Sequence, residues 1–312
     1  MTRTNLWTLA LACTLLASVS LAQDVRAEAG ASGLHILLTN DDGIEAVGLQ
    51  TLKTALRDAG HRVTVLAPNR NYSGSSASVG FGPVAVEEVG PGEYAADASP
   101  ATCALLGLTA WADPERPFDL LVSGTNLGAN AGPATGISGT VGATTIAASG
   151  MAGAVPAIAF SSTPPGDLAE AAAADPETHR RHFRNVAEFA VRLIDRLAER
   201  RDPAGALLAP GLRLNVNYPS LEPRAVAGVK IAVQGRGTPF AIVFEEKRPG
   251  LFAPGFAAAE SARTPDVPDS DAAGLAEGYV TIVPLDTDYT APAGALSETR
   301  RRLEGLAAQV PE

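Results

Sequence analysis

The hydrophobic positions in the first half of the chain alternate between short apolar runs and stretches with helical spacing. The run at 34–39 predicts a buried strand, and apolar residues every three or four positions over 46–60 predict a helix that ends at Gly60. The same alternation predicts further strands at 61–68, 84–89, 93–96, 118–124 and 155–162, and helices at 100–112 and 138–151. Strands that alternate with helices are typical of an α/β domain with a mainly parallel sheet.

The second half is less regular. It predicts a long helix at 177–201, strands at 212–219, 228–237 and 277–285, and a weak helix at 295–308. Residues 238–276 are rich in Pro, Ala and Gly and predict an extended, partly irregular arm. No internal repeat is present, so we expect one α/β domain over 33–312.

The N-terminus has the pattern of a secretory signal peptide. An early Arg3 precedes an apolar run at 6–16 and small residues near position 22, which predicts a signal peptide over 1–22 with cleavage as late as residue 27. A membrane anchor is the alternative, but the run is short for a membrane span. A lipoprotein would use Cys13, yet the apolar pattern continues past it. We therefore expect an exported protein, periplasmic or secreted, with no stable membrane insertion after cleavage.

Composition narrows the function classes. The 312-residue chain is 46% hydrophobic and has a formal net charge of -10, without a stripe of basic residues. A polymer of nucleic acid needs clustered Lys and Arg, so a nucleic-acid partner is disfavoured, whereas a small phosphorylated molecule is not. After cleavage Cys103 is the single cysteine, which allows no intrachain disulfide; we expect it to be a small buried hydrophobe.

Three polar stretches, at 40–45, 69–82 and 125–137, each follow a predicted strand. Ligands of parallel α/β sheets bind at the carboxyl ends of strands, so we expect all three stretches at one edge of the sheet. The first contains Asn40, Asp41 and Asp42. It is either a capped turn or a cation site, because two adjacent carboxylates repel each other unless a cation or donors offset them, and oxygen ligands suit Mg²⁺, Mn²⁺ or Ca²⁺.

The other two stretches each allow two interpretations. Ser73 offers a hydroxyl oxygen and Arg70 a guanidinium that fits phosphate, although the stretch is also typical of a flexible loop. Asn126 and Asn130 could ligate a metal or a phosphate, or could simply accept left-handed turns.

A fourth stretch, ISGTVGA, opens a predicted helix. Its residues Ser138, Gly139 and Thr140 either present backbone amides to an anion or include a serine N-cap. No GxxxxGK[ST] motif is present, which excludes a P-loop. Together the four stretches predict a hard cation beside anion-binding loops, the arrangement of metal-assisted phosphate-ester hydrolysis. None of the four histidines has the context of a catalytic base.

In this combination the chain resembles the SurE-type survival-protein nucleotidases. The resemblance is carried by ILLTNDDGIEAVGLQTL, VLAPNRNYSGSS, DLLVSGTNLGAN, SGTVGA, LNVNYP and EGYVTIVPL, in this order over about 34–290. It implies a Rossmann-like three-layer core whose C-terminal β-rich extension serves oligomerisation, as a homodimer or homotetramer. It also implies a phosphomonoesterase that uses one divalent cation per subunit, Mg²⁺ or Mn²⁺, to hydrolyse nucleoside monophosphates at the 5′ or 3′ position, and short polyphosphates in some members.

The resemblance also assigns roles to residues. It places the cation on Asp41, Asp42, Ser73 and Asn126, and phosphate on Asn40, Gly74, Ser138, Gly139 and Thr140. It makes Asp41, Asp42 and Asn130 catalytic, with Asp41 or water as the nucleophile.

The chain departs from the family pattern at Asn69, where an Asp is usual, at 98–103, where a Gly and an Asp are replaced, and in a long loop at 163–178. The alternative function is a non-catalytic exported protein that binds a nucleotide or a metal. A response-regulator receiver is disfavoured because the later strand ends supply neither an acceptor Asp nor a Lys.

Overall fold

The computed structural model describes residues 33–164, 176–237, 240–258 and 266–305. The predicted signal peptide lies outside these residues, as do most of the predicted loop at 163–178 and the end of the last predicted helix.

Among the described residues, nine strands form one sheet and two more form a separate hairpin. The strands are β1 (His35–Thr39), β2 (Arg62–Pro68), β3 (Val86–Gly90), β4 (Glu93–Ala96), β5 (Leu120–Leu127), β6 (Ala157–Ser162), β7 (Arg213–Tyr218), β8 (Gly228–Ile231), β9 (Phe240–Arg248), β10 (Leu251–Ala258) and β11 (Tyr279–Leu285). The order in the large sheet is β3-β4-β2-β1-β5-β6-β7-β11-β8. All neighbouring pairs are parallel except β3–β4 and β7–β11. The prediction of a mainly parallel sheet is confirmed.

Helices cover both faces of this sheet. They are α1 (Val47–Asp58), α2 (Pro100–Ala110), α3 (Ala134–Ile137), α4 (Gly139–Ala148), α5 (Pro176–Glu199), α6 (Asp271–Ala276) and α7 (Ala293–Arg302), with one 3₁₀ turn at Pro223–Ala225. Side chains alternate across β1, so Ile36 and Leu38 join one hydrophobic core with α1 and α5, and Leu37 joins a second core with α2 and α4. The predicted three-layer, Rossmann-like architecture is therefore confirmed.

The arm predicted as partly irregular contains regular structure. Strands β9 and β10 pair antiparallel around the turn at Pro249 and Gly250, where Gly250 has a φ of 77°. Pro254 and Gly255 are residues that disfavour the interior of a sheet. Each strand of a two-stranded ribbon is an edge strand, however, where proline is tolerated. Over 240–258 the predicted extended arm is thus a regular ribbon of two strands.

None of the helices in the described parts of the chain is both long and apolar enough to cross a membrane.

Candidate active site

The three polar stretches meet at the carboxyl ends of β1, β2 and β5, as predicted. Strand β1 lies between β2 and β5, so the chain reverses its direction of progress across the sheet at this point, where α/β proteins bind ligands. Backbone hydrogen bonds join the stretches: the Ile44 amide donates to the Pro68 carbonyl at 2.8 Å, and the Tyr72 amide donates to the Asp41 carbonyl at 2.7 Å.

Asp41 is the most enclosed acidic group of the site, with an exposed fraction of 2%. Its Oδ1 accepts a hydrogen bond from the Thr140 hydroxyl, and backbone amides at Gly139 and Thr140 also donate to the carboxylate. Burial nevertheless raises the pKa of Asp41, and these hydrogen bonds only partly offset it. The carboxylate therefore occupies the amino-terminal end of α4, where the helix dipole favours a negative charge.

Asp42 follows Asp41 in the chain and lies close enough to feel its negative charge. Burial, followed by the negative charge of Asp41, raises the pKa of Asp42 to about 7, whereas the Leu127 amide opposes this by donating to Oδ2 at 2.8 Å. Burial raises the pKa of both carboxyls, and the charge of Asp41 adds to this at Asp42, while no positive side chain of the described residues pairs with either. A bound cation would supply that charge.

Asn126 faces the carboxylates because β5 carries one extra residue. Ser123 pairs with Ala159 and Asn126 pairs with Ser161, so β5 bulges between them. Such bulges redirect side chains next to active sites. The Asn126 side-chain amide nitrogen donates to the Gly128 carbonyl at 2.7 Å, and Asn126 Oδ1 lies 3.4 Å from the Thr140 hydroxyl. The oxygen is thus turned toward the carboxylates, in the orientation that a metal ligand needs.

Ser73 lies at the rim of the site rather than inside it. Its side chain is exposed, and its backbone amide donates to Asn71 Oδ1 at 2.9 Å; in the described parts of the chain no hydrogen bond joins its hydroxyl to Asp41, Asp42 or Asn126. Gly74, with a φ of 81°, follows it in the left-handed region that glycine favours.

Ser75 is a residue that the sequence analysis missed. Its hydroxyl is buried without a partner among the described residues. A Cβ placed on Gly139 would lie 2.6 Å from Ser75 Oγ and 2.9 Å from Asp41 Oδ2, so this hydroxyl approaches the acidic pair. The signal was present in the run of serines at 73–78, but spacing alone did not show which serine turns inward.

The start of α4 combines the two interpretations of its sequence. Ser138 is an N-cap, since its hydroxyl accepts from the Val141 amide at 3.1 Å. The amides of Gly139 and Thr140 donate to Asp41, so they hold a carboxylate of the protein itself. Their assignment to substrate phosphate stays a prediction.

Two glycines of α4 make this packing possible. A Cβ on Gly139 would lie 2.8 Å from the Asp41 Cβ, and one on Gly142 would lie 2.0 Å from the Ser76 carbonyl oxygen. The loop after β2 therefore lies directly on α4, and Ser76 fixes it there by donating from Oγ to the Gly136 carbonyl at 2.8 Å.

Asn40 serves the turn that follows β1. It is fully buried. Its side-chain amide nitrogen donates to the Gly43 carbonyl at 2.9 Å, and its Oδ1 accepts from the Gly43 backbone amide at 3.3 Å. Both ends of the side chain are thus committed to the NDDG turn. The turn interpretation holds for Asn40, and the geometry lends no support to its predicted contact with phosphate.

Asn130 is held by a buried polar network. Its amide donates to Asn217 Oδ1 at 2.8 Å, its carbonyl accepts from the Asn215 side chain at 2.8 Å, and its own side chain donates to Ser161 Oγ at 2.9 Å. Asn215 and Asn217 were quoted only as part of LNVNYP. Two asparagines on a fully buried strand are a signal that could have identified them.

The loop that contains Asn130 is also fastened to the C-terminal segment. Asp271 is fully buried, and its Oδ1 accepts from the amides of Gly132 at 3.1 Å and Gly235 at 2.8 Å. Gln234 adds a 3.1 Å hydrogen bond to the Gly132 carbonyl. Sequence reasoning gave no indication of this contact.

His182, on α5, is structural. It is 4% exposed, and burial, followed by the charge of His179, lowers its pKa to about 4. Its Nε2 lies 2.7 Å from Ser162 Oγ, which donates to the Tyr218 carbonyl at 2.8 Å. Because the serine proton is used in that bond, Nε2 must be the donor to Ser162. The pair is therefore not a nucleophile activated by a base.

The residues at the three strand ends fit a hard divalent cation. The donors are carboxylate, amide and hydroxyl oxygens, which Mg²⁺ and Mn²⁺ prefer. Within the described ranges no cluster of three or more His, Cys, Asp or Glu residues is found, so the candidate site combines two carboxylates with amide and hydroxyl oxygens. Asp41, Asp42 and Asn126 would hold the cation from inside, with Ser73 at the rim.

Comparisons with known proteins agree on one family. The family model described as Survival protein SurE matches residues 36–239. A relative from Haemophilus ducreyi, described as 5′-nucleotidase SurE, is 33% identical over 263 residues, covering 83% of this chain and 96% of its own. One from Edwardsiella ictaluri, described as 5′/3′-nucleotidase SurE, is 34% identical over 275 residues, covering 87% and 98%. The crystal structure of the SurE protein from Aquifex aeolicus matches with a TM-score of 0.67 and 27% identity, covering 86% and 99%.

Proposed function

Because this chain belongs to the Survival protein SurE family, we propose that it is a divalent-metal-dependent phosphomonoesterase that hydrolyses nucleoside monophosphates at the 5′ or 3′ position. The observation that carries the proposal is the pair of buried Asp41 and half-buried Asp42 at the carboxyl end of β1, joined to α4 through Thr140 and to β5 through Leu127.

The side chains of the site have separable tasks. Asp41, Asp42, Asn126 and Ser73 are proposed to hold Mg²⁺ or Mn²⁺, which would polarise the phosphoryl oxygens when bound. The Thr140 hydroxyl and the α4 amides fix the Asp41 carboxylate. An acceptor so enclosed suits a ligand better than a nucleophile, which favours water over Asp41 as the group that attacks phosphorus.

Asn130 is proposed to contact the phosphate. Its backbone is fixed on both sides by β7, so the residue is placed before substrate arrives. The alternative of a non-catalytic binding protein gains no support, since the relatives are described as nucleotidases. Hydrolysis of short polyphosphate remains a secondary proposal from the family resemblance.

Phosphate release from a panel of 5′- and 3′-nucleoside monophosphates tests the function. After EDTA treatment activity should vanish, and Mg²⁺ or Mn²⁺ should restore it. Asp42→Asn should lower turnover at least a hundredfold, whereas Asp58→Asn, an exposed carboxylate on α1, should not change it. If Asp42→Asn turned over as fast as the wild type with Mg²⁺ or Mn²⁺ present, the assignment of the metal site would be refuted.

We also propose that the chain is exported and assembles as a homodimer or homotetramer. The pattern of residues 1–22 supports export, and N-terminal sequencing of the mature protein tests it: an intact Met1 would refute cleavage. The β9–β10 hairpin supports assembly, because Ile242, Phe244, Leu251 and Phe252 are exposed on it by 45% to 67%. Light scattering should give a smaller mass for Phe244→Asp than for the wild type; equal masses would contradict this role of the hairpin.

A further inference from the structure

Three side chains, two of them exposed and one half-buried, form a cluster beside the carboxylate pair. Arg70 and Tyr72 lie in the loop after β2, and Asp97 follows β4; together they are called the rim cluster. Because β4 runs parallel to β2, with Ala96 opposite Pro68, Asp97 emerges at the same edge of the sheet as the site. The Asn69 amide donates to the Ala96 carbonyl at 2.8 Å and ties the two segments together.

The rim cluster is fixed by several interactions. The Arg70 guanidinium carbon lies 4.6 Å from the centroid of the Tyr72 ring, the arrangement of a cation–π pair. Arg70 Nη2 donates to the Tyr72 hydroxyl at 2.8 Å, and that hydroxyl donates to Asp97 Oδ1 at 3.1 Å. Arg70 also pairs with Asp97 at 3.3 Å. A planar guanidinium is thus held above an aromatic ring with few degrees of freedom left.

The cluster touches the site through the backbone. The Tyr72 amide donates to the Asp41 carbonyl at 2.7 Å, and Tyr72 immediately precedes Ser73. A nucleoside monophosphate carries its base on the sugar, away from the phosphate. A subsite for the base must therefore lie beside the carboxylate pair and not within it, which is where the rim cluster lies.

The charges of the cluster favour a neutral planar group over a second phosphate. Asp97 neutralises Arg70 and would repel a phosphate dianion. The Arg70 side chain is 66% exposed and that of Asp97 is 55% exposed, so both remain accessible to a ligand. Bases stack on aromatic rings and on arginine guanidinium planes, and a carboxylate accepts from an exocyclic amine.

We propose that the rim cluster is the nucleobase subsite of the enzyme. The base stacks on the Arg70–Tyr72 pair, and Asp97 accepts a hydrogen bond from the exocyclic amine of adenine, guanine or cytosine. This inference rests on the proposed function, since it names the part of the substrate that the rim of that same site selects.

Two substrates that differ only in the base test the proposal. The ratio of kcat/KM for adenosine 5′-monophosphate to that for ribose 5-phosphate is measured for wild type, Arg70→Leu and Tyr72→Leu. The ratio should fall about tenfold in both variants, because stacking on one side chain contributes about 5- to 150-fold per base. Tyr72→Phe, which keeps the ring, should retain most of the ratio. Arg62→Leu, an exposed arginine at the opposite end of β2, is the matched control and should leave it unchanged.

An unchanged ratio in Arg70→Leu and Tyr72→Leu would overturn the subsite. An equal loss for both substrates would also overturn it, since the cluster would then serve the phosphate or the loop. If the wild type releases phosphate from neither compound nor from any member of the panel of 5′- and 3′-nucleoside monophosphates, the proposed function fails. Calorimetric titration with adenosine then decides the subsite by itself. Weaker adenosine binding by Arg70→Leu than by Arg62→Leu would support the subsite, and equal binding would refute it.

Discussion

The hydroxyl of Thr140, at the start of α4, donates a hydrogen bond to Oδ1 of Asp41, which lies 99 residues earlier at the end of β1. The same hydroxyl lies 3.4 Å from Asn126 Oδ1 at the bulge of β5. One small side chain thus connects three elements and orients two of the predicted metal ligands.

Thr140→Val should lower kcat/KM for nucleoside monophosphates about tenfold or more. The substitution keeps the shape and removes a hydrogen bond to a charged group, which contributes about 1.5 to 3 kcal/mol. Titration with Mn²⁺ should show weaker binding. Thr140→Ser restores the donor and should restore both quantities; a valine variant as active as the serine variant would contradict this role.

Asp42→Asn should stabilise the protein in EDTA although it inactivates the enzyme. Burial and Asp41 raise the pKa of Asp42 to about 7, so at pH 8 its charge destabilises the folded state. At about 1.4 kcal/mol per pKa unit, the amide should raise the free energy of unfolding by about 2 to 4 kcal/mol. Denaturant unfolding in EDTA measures this, with Asp58→Asn as the control.

Adding Mg²⁺ should then separate the two proteins. The wild type should gain stability with increasing Mg²⁺, because a ligand that binds only the folded state stabilises it. Asp42→Asn should gain little. An Asp42→Asn protein that is less stable than wild type in EDTA would argue against two uncompensated carboxylates.

Gly142→Ala should destabilise the protein by about 1 to 3 kcal/mol, the usual cost of overpacking, and lower activity. Its Cβ would lie 2.0 Å from the Ser76 carbonyl oxygen and would push the loop that carries Ser73 away from α4. Gly136→Ala is the matched control, since no atom lies within 4 Å of a Cβ at that helical position. Equal thermal stabilities for the two variants would show that the close approach of the Ser76 carbonyl to Gly142 does not affect the free energy of unfolding.

Protonation of His182 should destabilise the protein as the pH falls from 7 to 5, in opposition to Asp42, whose raised pKa makes acidification stabilising in the metal-free protein. Burial lowers its folded pKa to about 4, whereas the unfolded chain titrates near 6.5. Between these values the unfolded state binds more protons at this histidine, so His182 alone contributes about 2 kcal/mol in favour of unfolding from pH 7 to pH 5.

His182→Gln isolates this effect. Glutamine keeps a donor for Ser162 and does not titrate, so the stability of the variant relative to wild type should rise by about 2 kcal/mol between pH 7 and pH 5. Denaturant titrations at both pH values give the difference. If the free energy of unfolding changes equally in the variant and the wild type between pH 7 and pH 5, the pH dependence belongs to other groups, such as His61, whose pKa burial also lowers.

Elements of the core could be predicted because their patterns are local. The centre of the run at 34–39 is buried on both faces of a parallel sheet and is therefore apolar, as Ile36, Leu37 and Leu38 of β1 are. The helix predicted at 100–112 likewise begins where expected, at Pro100, with Ser99 as its N-cap. The shared edge of Asp41, Asp42 and Asn126 followed from parallel strands alone.

What could not be predicted depends on distant partners. The α4 amides could serve any anion, and only the fold shows that Asp41 occupies them. Ser73 and Ser75 are two residues apart in a loop with no repeating geometry, so their different exposure has no counterpart in the sequence pattern. Asn215 and Asn217 look like errors in an apolar strand until Asn130 is placed against them.

Asp271 lies beyond residue 239, where the family-model match ends, yet it holds the loop that carries Asn130. A chain that ended at residue 239 would keep every predicted metal ligand and would leave the amides of Gly132 and Gly235 without their acceptor. Inheritance of the ligand set therefore does not guarantee inheritance of a working loop. A substitution at Asp271 would therefore release the loop of Asn130 without touching a predicted metal ligand.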